Sequence, residues 1–244
     1  MKRKWITMTG YLLLEGGAEF GGQMSEPDRR AIDLAGGLDA PITIIPTAAA
    51  PDNNYQRVGN NGVRWFHRLG ASQVESLPLI DKASANDARL AAKISQSRPI
   101  YMLGGFTGYL GETIKDSASW QAMLKAYMSG AVVAGSSAGA MVMCQYYYDP
   151  ARGNVVEGLN LLPNTCVLPH HNTFGKAWAP RLINLLPEAI LLGIDEQTGM
   201  LDDGPEGRKV GWRVYGKGSV TLYHHGTPTI YNSGESFNED FSPG

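Results

Sequence analysis

Short apolar runs rich in β-branched residues recur along the chain, and the segments between them have the apolar spacing of helices. The runs cover 11–14, 42–45, 74–79, 100–103, 131–134, 165–168 and 190–194. Near-continuous apolar runs of this length predict strands buried on both faces. Helices are predicted over 27–35, 55–69, 86–97, 120–128 and from residue 138 onward. Strands alternating with helices predict an α/β fold, an open and mostly parallel sheet with helices on both faces. The late stretch KVGWRVYGKGSVTLYHHG has β-rich segments on either side of Gly216-Lys217-Gly218, which predicts an antiparallel hairpin at the sheet edge. No internal repeat, low-complexity tract or Pro-rich linker divides the chain, so a single domain over 1–244 is expected.

Composition narrows the function classes. A hydrophobic content of 43% supports one sizeable core. The formal net charge is −2 and no basic run is longer than Lys2-Arg3-Lys4, so the chain lacks the footprint expected for nucleic acid or an anionic membrane. Neither is an expected partner. The opening MKRKWITMTGYLLLEGG begins like a signal peptide, but Gly10 and Glu15 interrupt its apolar stretch and no small-residue cleavage site follows. A first strand is expected there instead. No apolar stretch reaches the ~18 residues of a membrane span, so a soluble, cytoplasmic protein is expected. Cys144 and Cys166 are too few for a disulfide framework and form no CxxC pair, which predicts two free core thiols in a reducing compartment.

Candidate chemistry centres on AVVAGSSAGAMVM, residues 131–143. A predicted strand, then Gly135-Ser136-Ser137-Ala138-Gly139, then a predicted helix, is G-x-S-x-G at a strand-to-helix turn. In that turn the third position is lifted out of the sheet, so Ser137 rather than Ser136 is the candidate nucleophile. The competing reading is an ordinary turn with a serine N-cap. Of five histidines, His67 falls in a predicted helix and His224-His225 at the end of the final strand. His170 and His171 follow the 165–168 strand at its carboxyl end, the edge where open α/β sheets gather functional groups. No further ligand stands near that pair at metal spacing, so no metal is expected. Gly104-Gly105-Phe106-Thr107-Gly108 is not GxGxxG and no Walker lysine follows, which favours an oxyanion loop over a nucleotide loop.

Seven stretches in order resemble one family: LLLEGGAE, ITIIPTA, YMLGGFTGYL, GSSAGA, GLNLLPNTCVLPHHN, LLGIDEQT and YGKGSVTLY. The chain is similar to the cyanophycinase and dipeptidase E family of serine peptidases. The resemblance implies a flavodoxin-like fold related to class I glutamine amidotransferases. It implies Ser137 as nucleophile and, anchored on GLNLLP, His170 as base; anchoring on Arg181-Leu182 would make His171 the base. For the acid it leaves Asp149, which precedes Pro150 and lies between nucleophile and base, with Glu157 as the alternative. Gly105 and Phe106 resemble the family's oxyanion segment, acting with the backbone N–H of Ala138, and Thr107, Phe174 and Arg181 are the implied substrate contacts. Asp195-Glu196 in GIDEQTGM takes a supporting role, or is a satisfied turn.

The implied reaction is hydrolysis through an acyl-enzyme without cofactor or metal. A glutamine amidotransferase would carry Cys at the elbow, and both cysteines lie elsewhere. Leu168-Pro169 stand where cyanophycinases have Asp-Gln, Phe106-Thr107 where they carry a glutamine, and only Arg181 matches their arginines after the histidine. Short peptides, including aspartyl peptides as for dipeptidase E, are therefore expected in place of cyanophycin. A homodimer is one assembly left open. The alternatives are an α/β-hydrolase esterase, which should place its histidine after further strands, and a non-catalytic relative that binds a small ligand in the same cleft.

Overall fold

The computed structural model describes residues 10–204, 211–239 and 241; Lys2-Arg3-Lys4 lie outside the described residues. The chain runs β1 (Tyr11–Glu15), α1 (Ser25–Leu34), β2 (Ile42–Ile45), α2 (Tyr55–Arg68), β3 (Val74–Ser76), α3 (Lys82–Ala85), α4 (Ala88–Gln96) and β4 (Pro99–Met102). It continues with α5 (Thr107–Ile114), α6 (Ala118–Met128), β5 (Val132–Ser136), α7 (Ala138–Met143), β6 (Cys144–Asp149), β7 (Asn154–Glu157) and β8 (Leu162–Leu168). The last elements are α8 (Ala179–Leu185), β9 (Ile190–Ile194), β10 (Thr198–Leu201), β11 (Trp212–Gly216), β12 (Ser219–His224), β13 (Thr227–Asn232) and β14 (Ser236–Phe237).

The fold is α/β and built on an open sheet. Strands β1, β5, β4, β2 and β3 are mutually parallel neighbours, and β10, β11 and β14 extend the β1 side antiparallel. Alternation along β1 sends Leu13 to one face and Leu12 and Leu14 to the other, as the period of two requires. Leu13 joins Ile32 of α1 and Trp65 and Phe66 of α2 in one apolar cluster. Leu12 and Leu14 join Ile94 of α4, Leu110 of α5, Met123 of α6 and Met141 of α7 in another. Local signals fix several helix starts: the Asp87 carboxylate accepts from Arg89 and Leu90 N–H at the head of α4, and Ser117 accepts from Trp120 N–H at the head of α6.

Where one sheet was expected there are two. The predicted strands over 165–168 and 190–194 belong to a second, six-stranded sheet ordered β13-β12-β9-β8-β6-β7, in which β6, β8 and β9 are parallel. The apolar cluster on the Leu12 face continues into it through Val167, Leu192 and Val220, so both sheets share a core. A C-terminal antiparallel hairpin is present, but it joins β12 to β13 through His225-Gly226. Gly216-Lys217-Gly218 instead carries the chain from β11 in the first sheet to β12 in the second. The predicted strand over 74–79 pairs only to Ser76, after which Leu77 N–H still donates to the Ile44 carbonyl. Among the described residues no helix is long and apolar enough to cross a membrane. Cys144 and Cys166 are free and buried, and burial pushes the Cys144 thiol up to about 12 and Cys166 further in the same direction.

Candidate active site

The carboxyl ends of β1, β4 and β5 in the first sheet meet those of β8 and β9 in the second, and the site lies at this junction. At the end of β5 the chain turns sharply into α7, with Ser137 at φ 50° and ψ −113°, a conformation that non-glycine residues hold only under constraint. Glycine is required on both sides of the turn. A Cβ on Gly135 would lie 2.4 Å from the Gly139 carbonyl carbon, and one on Gly139 would lie 2.2 Å from the Met102 oxygen. Ser136 is fully buried and its hydroxyl donates to Glu19 Oε2 at 2.9 Å. Ser137 is partly exposed.

His170, two residues past β8, brings its Nε2 to 3.1 Å from Ser137 Oγ. Its Nδ1 lies 2.8 Å from Glu196 Oε1, which also accepts from the Thr173 hydroxyl at 3.4 Å. The Glu196 N–H is held by Asn172 Oδ1 at 2.9 Å, so the histidine loop and the acid loop lock each other. A hydroxyl, an imidazole and a carboxylate in series can pass a proton off the oxygen and stabilise the imidazolium that results.

The other residues singled out in the sequence divide around this series. His171 is buried on the opposite side, its Nε2 2.9 Å from the Tyr223 hydroxyl and its Nδ1 3.6 Å from Asp195 Oδ1. The two imidazoles thus have separate sets of partners. Burial opposes ionisation of Asp195, but His171 and the Ser219 N–H and hydroxyl outweigh it and hold the carboxyl below its ordinary range. Neither acid expected from the sequence meets His170. The Asp149 carboxylate is buried, closes its own turn on the Ala151 N–H at 3.0 Å and pairs with Arg152 at 3.6 Å. Glu157 is exposed and pairs with Lys115. Chain order points to an acid between nucleophile and base, which is why Glu196, beyond both, reads from the sequence as part of a supporting turn. The available signal is that β9 ends on the same edge as β8, with Asp195-Glu196 following one strand and His170-His171 the other.

Around Ser137 the Gly-Gly segment after β4 approaches closely: a Cβ on Gly104 would be 3.1 Å from Ser137 Cβ. Gly105 adopts φ 140° with its Cα against the Ala48 carbonyl. The Phe106 N–H donates to that carbonyl at 2.8 Å, which removes it as an oxyanion donor. The N–H groups of Gly105 and of Ala138, the first residue of α7, have no protein acceptor among the described residues. Thr107 is buried at the start of α5 with its hydroxyl on Met141 Sδ, and it lines the cavity that opens beside Gly105 and Phe106. Arg181 donates to the Gly153 carbonyl and lies over the Tyr148 ring, occupied away from Ser137. Phe174 is 54% exposed and stacks on His170, ring centroids 4.7 Å apart. Next to Gly105 and Phe106 opens a cavity of about 450 Å³ whose charged lining is Glu112, Asp149 and Arg152.

Comparison with known proteins agrees with this architecture. The sequence profile of peptidase family S51 matches residues 12–209. The chain belongs to peptidase family S51. That is a family of serine peptidases, so the chain is a peptidase, a hydrolase. It is 28% identical to the cyanophycinase of Trichormus variabilis over 236 residues, 91% of this chain and 76% of that protein. A peptidase from an acI-B1 actinobacterium superposes with a TM-score of 0.83 at 28% identity, covering 95% of this chain and 98% of that one. A peptidase E-type protein of Listeria monocytogenes has a TM-score of 0.58 at 20% identity, over 79% of this chain and 93% of that one, and shares the fold.

Proposed function

We propose that this S51 peptidase hydrolyses short peptides through an acyl-enzyme formed on Ser137. The observation that carries the reading is the unbroken series from Ser137 Oγ through His170 to Glu196. His170 takes the Ser137 proton as the oxygen attacks the peptide carbonyl and returns it to the leaving amine; water then repeats the sequence on the ester. Glu196 keeps Nδ1 protonated and offsets the charge on the ring. The N–H groups of Gly105 and Ala138 are the oxyanion donors in this reading. No step calls on a cofactor.

For the substrate, the cavity beside Gly105 receives side chains near the scissile bond. Its one guanidinium, Arg152, already pairs with Glu112 and Asp149. An aspartyl side chain would have to draw Arg152 from both carboxylates, so short peptides with neutral residues are expected to be cleaved faster than aspartyl peptides or cyanophycin. The two buried free thiols support a reducing, cytoplasmic setting.

A fluorophosphonate probe followed by peptide mapping tests the nucleophile. Labelling is expected on Ser137 and absent in Ser137→Ala, and peptide cleavage by Ser137→Ala at the wild-type rate would overturn the mechanism. A library of short peptides read by mass spectrometry tests the substrate class, and efficient cyanophycin degradation would overturn that part.

A further inference from the structure

Three consecutive carbonyls hold the backbone beneath the site. Glu15 O accepts the Ser137 N–H at 2.9 Å, Gly16 O accepts the His170 N–H at 2.7 Å, and Gly17 O accepts the N–H of Gln197, next to Glu196, at 2.9 Å. Ser137, His170 and Gln197 all have positive φ, at 50°, 51° and 54°, conformations that persist only where the surroundings fix them. The approach is close. A Cβ on Gly16 would lie 2.1 Å from the Asp195 oxygen, and one on Gly17 would lie 2.3 Å from His170 Cε1.

At the head of this platform the side chain of Glu15, at the end of β1, is fully buried. Its Oε2 accepts the hydroxyl of Tyr101 on β4. Asp28 of α1, equally buried, accepts the indole N–H of Trp65 on α2 at 2.7 Å. Glu15 Oε1 and Asp28 Oδ1 are buried oxygens without a donor among the described residues. Two charged carboxylates in such a place would each lack hydration and repel the other. Burial, followed by the charge of Asp28, pushes Glu15 well above the usual carboxylate range, and burial pushes Asp28 up to about 7. A proton on Glu15 converts an unsatisfied acceptor into a donor for Asp28. The groups facing the pair are Tyr101 from β4 and Glu19 from the 16–20 loop; Arg64 and Arg68 of α2 line the cavity onto which Glu19 opens.

We propose that Glu15 is a positioning residue of the active centre: its buried side chain, tied to Tyr101 beside Asp28, fixes the three carbonyls from which Ser137, His170 and the Glu196 turn hang. The inference rests on the mechanism proposed for Ser137, and two readouts separate the two ideas. One is the rate of fluorophosphonate labelling at Ser137. The other is the His170 Hδ1 proton resonance, which reports the His170–Glu196 contact whether or not Ser137 is the nucleophile.

Glu15→Gln preserves a donor toward Asp28 and an acceptor for Tyr101, whereas Glu15→Leu keeps the volume and neither bond. Glu15→Gln is expected to retain most of the labelling rate and the Hδ1 signal. Glu15→Leu is expected to slow labelling by about ten- to a hundredfold, the cost of a small displacement of reacting groups, and to shift or broaden the signal. Tyr101→Phe, which deletes one hydroxyl, is expected to slow labelling several-fold and decides the matter if Glu15→Leu does not fold. A folded Glu15→Leu or Tyr101→Phe protein with the wild-type rate and an unmoved resonance would overturn the inference. If the wild type is never labelled but Glu15→Leu still moves the resonance, the nucleophile assignment fails and the positioning role stands.

Discussion

The two nitrogens of His170 face different partners, and that asymmetry sets what each nearby substitution should do. Glu196→Gln keeps the shape of the Nδ1 contact but cannot stabilise an imidazolium, so kcat is expected to fall by about 10²–10⁴ with little change in KM. Glu157→Gln, on an exposed carboxylate paired with Lys115, is expected to leave both constants near wild type. Steady-state kinetics on a cleaved library peptide checks the pair. His171 belongs to stability: its loss removes the partner of the Tyr223 hydroxyl and of Asp195 Oδ1, leaving Asp195 held by Ser219 through Oδ2 alone. His171→Ala should cost about 1–3 kcal/mol in urea unfolding. The location of Ser137 was legible because G-x-S-x-G has one geometry at a strand-to-helix turn. Glu196 was not, because contact between two loop ends depends on which strands are neighbours, and spacing along the chain does not record that.

Elements come together here through glycine. α7 sits on β4 because Gly139 lets its backbone reach the Met102 carbonyl, and α7 in turn presents Ser137. A methyl group at Gly139 would press on main-chain atoms that cannot rotate away. Gly139→Ala is expected to destabilise by about 1–3 kcal/mol or more and to lower activity with it. At Gly21 a Cβ would meet nothing within 4 Å, so Gly21→Ala should stay within about 0.5 kcal/mol in the same urea titration. The strands of the parallel core and the helices α1, α2, α4 and α6 were legible because burial leaves a period in the sequence. α5 was not, since Thr107, Gly108, Leu110, Gly111, Thr113 and Ile114 are all buried and only Tyr109 and Glu112 reach the surface, too few to define a polar stripe. The division into two sheets was equally hidden, because an apolar strand has the same pattern in either.

For the molecule as a whole, the Glu15–Asp28 pair makes stability depend on pH in an unusual sense. Both carboxyls hold protons in the folded state at pH values where the unfolded chain has released them. Their contribution is therefore full below about pH 4, where both states are protonated, and is lost as pH rises toward and through the Asp28 value of about 7. The slope from this source is on the order of 1 kcal/mol per pH unit. Urea midpoints should fall between pH 5 and 8, and Asp28→Asn should flatten that fall; an unchanged slope in Asp28→Asn would assign it to other groups. The passage of Gly216-Lys217-Gly218 between the sheets has a consequence in time. Lys217 N–H donates to the Gln197 carbonyl, Gly218 N–H to Thr198 Oγ1 and Ser219 N–H to Asp195 Oδ2, so the turn carrying Glu196 is clamped by chain some twenty residues further on. The acid is thus expected to be set after the parallel core has formed. On dilution from urea, the circular dichroism signal should recover before peptide hydrolysis does, leaving an interval in which the chain is largely folded and chemically silent.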